Sequence, residues 1–146
     1  MKTNIKLYVL YDDFYIITEK EVKSILRWCK KNLGKSKYNN IKSLKIQINN
    51  RIKDFGVFDY KTNTIIINMA FHTQEGGLID LIDTIIHEYA HFKQDIKNEY
   101  KPYFKHSSDS LNHPLEKVAY RTAKKYAKIC KKELFSLCEY SNPNAE

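Results

Sequence analysis

Apolar and polar positions change rhythm several times along the chain. In "SLKIQIN" (43–49), Leu44, Ile46 and Ile48 alternate with polar neighbours, the two-residue period of a half-buried strand. "IKLYVLYDDFYII" (5–17) is dense in β-branched and aromatic residues and predicts a strand within it. Between these two stretches the period lengthens. Thr18 with Glu21 three residues on forms a capping box, and Val22, Ile25, Leu26 and Cys29 follow at helical spacing, with Trp28 expected in the core. Gly34 suits the end of that helix. "RIKDFGVFDYKTNTIIINMAF" predicts a hairpin. Its first arm ends near Asp59, "YKTN" makes the turn, and 64–69 is the second arm.

After Gly76 and Gly77 the spacing becomes helical again. Leu78, Leu81, Ile82, Ile85, Tyr89, Phe92 and Ile96 form one apolar stripe, which predicts a helix through about Asn98. "KPYFKHSSDSLN" reads as a loop. Pro114 suits the first position of a second long helix, running to about Leu134, and "SNPNAE" (141–146) reads as a frayed tail. The expected class is therefore α+β. A small mixed or antiparallel sheet and an N-terminal helix occupy 1–76, and two helices follow over 77–135.

Composition narrows the picture. A length of 146 residues suits one domain around one core, and eleven Tyr and seven Phe argue against disorder. No apolar run is long enough for a membrane span. Asp12 and Asp13 interrupt the first apolar stretch, so no signal peptide is expected either. Cys29, Cys130 and Cys138 lack close-paired metal spacing and are too few for a disulfide scaffold, which fits a reducing cytoplasm. The net charge of +8 favours solubility. Lys117, Arg121, Lys124, Lys125, Lys128, Lys131 and Lys132 give the last helix a basic face, expected to be solvated, with phosphate contact as the alternative.

The chemistry concentrates in "IIHEYAHFKQD" (85–95). His87 and His91 stand one helical turn apart on one face, so two imidazoles can meet one tetrahedral Zn²⁺. Glu88 is rotated by about 100° from His87 and lies beside the open metal position. There it can take a proton from a water that the metal acidifies. The two histidines share a side with Asp80, Thr84 and Gln94, away from the centre of the apolar stripe. A catalytic zinc takes a third protein ligand. The continuation HExxHxxGxxH fails, because Gln94 and Lys97 replace its Gly and His. His106, Asp109, His113 and Glu116 remain. Glu116 is favoured because Ala119, Ala123, Ala127 and Cys130 on its face let one helix lie close to another.

His87, Glu88, His91 and Glu116 together resemble the gluzincin metallopeptidases, in particular the single-domain minigluzincins, with HExxH on one helix and a Glu ligand on the next. The resemblance covers roughly 64–127. It implies a zincin-like fold with the sheet's edge strand above the cleft, peptide-bond hydrolysis, and a peptide or protein substrate. "IIINMAF" (65–71) is the candidate for that edge strand, to which an extended substrate would add. Larger gluzincins carry an Asp after the third ligand that orients a zinc-bound histidine, whereas Ala119 and Tyr120 stand here. Asp80, Asp83, Asp95 and Asp109 are open substitutes.

Amide hydrolysis also needs a donor at the developing oxyanion, for which His106, His113, Tyr100 and Tyr103 are candidates. Two other readings stay open. One resembles the SprT-like proteases that act on DNA-bound proteins, with His106 as third ligand. The other is a latent, zymogen-like module that holds metal without constitutive activity. A monomer is expected.

Overall fold

A computed structural model describes residues 6–10, 15–74, 76–100 and 113–140. It is an α+β structure. Its elements are β1 (Tyr8–Leu10), β2 (Tyr15–Ile17), α1 (Glu19–Asn32), β3 (Lys45–Ile48), β4 (Gly56–Asp59), β5 (Thr64–Ile67), α2 (Gly77–Phe92) and α3 (Pro114–Tyr140). The loop 101–112 and the tail 141–146 lie outside the described residues, and with them Tyr103, His106 and Asp109.

The single strand expected within 5–17 is two short ones. β1 and β2 pair antiparallel, with Val9 opposite Ile16. The main sheet is mixed, in the order β3-β5-β4. β3 runs parallel to β5, and β4 antiparallel. The predicted β4–β5 hairpin forms, and Asn63 takes positive φ (51°) in its turn, a conformation that Asn tolerates. The Asn63 amide donates to Asn40 O and Ser43 Oγ, tying the turn to the entry of β3. This pairing corrects one expectation. β5, in "IIINMAF", is flanked on both sides and sits in the centre, and among the described residues β3 and β4 are the two edges. Its place just before the active helix made β5 the candidate, but Ile65 and Ile67 are fully buried between neighbours.

α1 starts at the predicted capping box. Thr18 Oγ1 accepts from Lys20 N–H, and Glu21 receives the Thr18 N–H at 2.8 Å. Trp28 is buried, as expected, and its Nε1 donates to Glu133. Cys29 and Cys130 are buried free thiols, both pushed up in pKa chiefly by burial.

α2 is the axis of the core. Leu78, Leu81, Ile82, Ile85, Tyr89 and Phe92 are fully buried, and so is Ile86, which broadens the predicted stripe. The helix ends at Phe92, not near Asn98. Ile96 continues the sequence rhythm, but the terminal carbonyls find other partners: Lys93 N–H bonds Tyr89 O, and Asn39 Nδ2 donates to Phe92 O at 2.8 Å. Ile96–Tyr100 then forms a separate π-turn.

Ala119, Ala123, Ala127 and Cys130 are buried, so the small-residue face of α3 does pack inward. α3 continues to Tyr140, beyond the predicted Leu134. Its basic side chains Lys117, Arg121, Lys124, Lys125, Lys128 and Lys132 are exposed. Among the described residues no helix is long and apolar enough to cross a membrane.

One glycine sets the approach of sheet to helix. A Cβ at Gly56 would stand 2.7 Å from Thr84 Cγ2 and 3.0 Å from Ile67 Cδ1, so a side chain there would push β4 off α2.

Candidate metal centre

His87 and His91 project from the last turns of α2 toward the start of α3. Their rings meet edge to face with centroids 4.9 Å apart. Both Nε2 atoms point at one oxygen, Glu116 Oε1, at 2.9 Å from His87 and 2.7 Å from His91. This is the convergence that the spacing of the two motifs predicts. A tetrahedral centre with bonds of about 2.0–2.1 Å needs its ligand atoms about 3.3 Å apart. The two spacings from Glu116 Oε1 to the imidazole nitrogens, 2.9 and 2.7 Å, are about half an ångström shorter, at hydrogen-bond spacing. Two imidazoles and a carboxylate are a donor set that Zn²⁺ accepts.

Glu88 lies within the same cluster. The ligand atoms of His87, Glu88 and His91 are within 4.8 Å of one another. Its Oε2 is nevertheless 3.9 Å from His87 Nε2, farther than Glu116 is from either ring. Burial pushes the Glu88 pKa up to about 7, against the opposing pull of His91 and His87. The Phe58 backbone of β4 adds a smaller pull toward the ionised form. A carboxyl group that titrates near neutrality is poised to take and return a proton. For His91, burial alone would lower the pKa, but the Glu116 hydrogen bond and the Glu88 charge outweigh it and hold the value up.

The structure adds residues that motif reading had not assigned. The first is Gln94. Its Oε1 lies 2.7 Å from His91 Nδ1, while its own Nε2 donates to Leu115 O at 3.0 Å. The second bond fixes the amide orientation, so His91 carries its proton on Nδ1 and presents Nε2 to the Glu116 side. Gln94 thus bonds the outer ring nitrogen of His91, the position from which a ligand histidine is oriented. Sequence phase did place Gln94 on the histidine side, but no motif gave it a role. Of the acidic substitutes considered, Asp95 is bonded to Asn98, and Asp83 lies one turn before His87 and is electrostatically coupled to it. Gln94→Leu should lower zinc affinity about 10–100-fold, read by competition with a chromophoric chelator. Unchanged affinity would show that Gln94 does not orient the ligand.

The second is Tyr120, which the sequence marked only as a departure. Its ring packs against His87 with centroids 4.6 Å apart, and it is 47% exposed. Burial and the nearby Glu116, Glu88 and Asp83 charges raise its pKa, so the phenol stays protonated. The predicted donor His113 stands just before α3, with its Nδ1 turned to the start of that helix. The Nδ1 accepts the Leu115 N–H at 3.0 Å, and the His113 carbonyl accepts from Lys117.

These groups face a cleft of about 1150 Å³ between β4 and the α2–α3 pair. Phe55, Val57 and Tyr60 line one side; Asp80, Thr84, His87, Glu88 and Tyr120 line the other. The cleft follows β4, which among the described residues has no strand partner on its outer edge. No protein-family model, no curated protein and no solved structure matches this chain.

Proposed function

We propose that the protein is a zinc-dependent peptidase, with His87, His91 and Glu116 as ligands and Glu88 as the proton carrier. The observation that carries this reading is the meeting of both imidazole Nε2 atoms at one Glu116 oxygen, beside a buried Glu88, on the wall of a cleft. Zn²⁺ bound there would polarise a substrate carbonyl and acidify a water. The chain's own groups do the rest. The outer edge of β4 offers main-chain hydrogen bonds to an extended peptide laid along the cleft. Glu88, whose pKa burial raises to about 7, accepts a proton from the attacking water and delivers it to the leaving amine. The Tyr120 phenol, held beside His87, supplies a donor to the carbonyl oxygen as negative charge builds on it. Glu116 already meets both rings, which favours it over His106 as third ligand.

The test is metal analysis together with cleavage of a broad peptide library. Zinc should co-purify, a chelator should abolish cleavage, and re-addition should restore it. Tyr120→Phe should reduce kcat about 100-fold at unchanged zinc content. Full zinc occupancy in His87→Ala protein would sink the ligand set. Bound zinc without cleavage of any library peptide would favour the latent-module reading.

A further inference from the structure

Phe55 lines the cleft near Thr84, and Phe71 stands in the open against it. Phe55, the residue before β4, is 57% exposed and Phe71 is 37% exposed, with ring centroids 5.2 Å apart. Single exposed apolar residues are ordinary. A contacting exposed aromatic pair, one member of which lines a cleft, is not. The pair is also rigidly seated. Phe55 O accepts the Asn68 N–H at 3.0 Å, and the Asn68 side chain caps the short turn that carries Phe71. Behind Phe55 lies the buried ring of His72, at 5.5 Å edge to face. Both His72 nitrogens are occupied, Nδ1 by Asn68 O at 2.8 Å and Nε2 by Thr84 Oγ1 at 2.9 Å. His72 is therefore a wall and not a reactive group.

The position of this platform relative to Glu88 follows from the alignment of β4 with α2. Gly56 faces Thr84, and Phe58 and Glu88 line the same cleft, with the Phe58 backbone near enough to act on the Glu88 charge. Two strand residues cover about 6.7 Å and four helix residues about 6 Å, so strand and helix advance together in the same direction. Phe55 is three residues before Phe58, about 10 Å back along the strand. An extended peptide paired on β4 covers that distance in three residues.

We infer that Phe55 and Phe71 form a subsite for a bulky apolar or aromatic substrate side chain, three residues from the bond that is cut. This rests on the peptidase reading for the position of that bond, but the occupant follows from the platform itself. It is a preformed, fixed apolar surface, continuous with the outer edge of β4, and it matches a side chain that an edge-paired strand would present.

Binding to zinc-loaded Glu88→Gln protein tests it without requiring turnover. Fluorescent peptides carrying Phe or Leu three residues from the centre, on either side, are compared with their Ala counterparts. One side should show about tenfold tighter binding for Phe. Phe55→Ala should abolish the difference, and Phe55→Leu should retain most of it, which separates contact from misfolding. Equal binding of Phe and Ala peptides, a preference for Lys or Arg there, or a preference unchanged in Phe55→Ala overturns the inference. Phe55-dependent binding alongside a wild-type protein that cuts no peptide would sink the peptidase reading and leave the subsite standing.

Discussion

Glu88→Gln should keep zinc at the wild-type level and lower peptide hydrolysis about 1000-fold, within the range that general acid–base groups contribute. The substitution keeps the shape of the side chain. Its amide cannot carry a proton. Near-wild-type cleavage in this variant would remove Glu88 from the chemistry. A second readout follows from burial, in chelator and without substrate. The folded-state pKa of Glu88 lies at about 7 against an ordinary 4.5. Folding then favours the protonated form, so its stabilising effect is full below about pH 4.5 and is lost as pH rises through 7. At about 1.4 kcal/mol per pKa unit, the ionised carboxylate costs the metal-free fold up to about 3 kcal/mol at pH 8. Gln carries no charge. The metal-free variant should therefore melt above the metal-free wild type at pH 8, with the gap closing toward pH 4. A variant that loses activity yet shows no pH-dependent gain would mean that Glu88 is not held in an apolar environment.

Much of this was legible from spacing, because spacing is what fixes the site. The four-residue interval of His87 and His91 put both rings on one face, and the run of alanines after Glu116 brought α3 close enough for its carboxylate to reach them. What local pattern missed depends on partners far away in sequence. β5 looked like an edge because nothing in "TIIIN" says that β3, almost twenty residues earlier, will lie parallel beside it. The helical rhythm carried Ile96 past the true end of α2, since Asn39 and Lys93 close that end through tertiary bonds. Gln94 showed its phase but not its bond to Leu115 O, and that bond is what gives it a role. Phe55 read as part of a strand, and only the packing of β4 on Thr84 shows that it lines a cleft.

Removing the carboxylate of α3 should have the largest effect on the metal. Glu116→Ala is expected to lower zinc affinity more than about 100-fold, beyond what loss of an orienting partner produces. Glu116→Gln should fall between it and wild type. The metal-free protein gives an independent check, because Glu116 is also the bond between α2 and α3. His91 is held above its ordinary 6.5 although burial opposes this, and the Glu116 hydrogen bond is the leading reason. A histidine raised in the folded state stabilises it fully below its unfolded pKa, and that stability is lost as pH rises through the folded value. Glu116→Ala should therefore destabilise the chelated protein more at pH 5.5 than at pH 9, and an NMR titration should find His91 shifted downward. The same variants separate the two carboxylates of the site. Glu88 and Glu116 both lie near the histidines, but Glu116 Oε1 is 2.9 and 2.7 Å from the two rings, whereas Glu88 Oε2 stands 3.9 Å from His87. Zinc retained in Glu116→Ala and lost in Glu88→Gln would exchange their roles. Zinc lost in the first and kept in the second is the outcome the proposed ligand set predicts, since both imidazoles already meet one Glu116 oxygen.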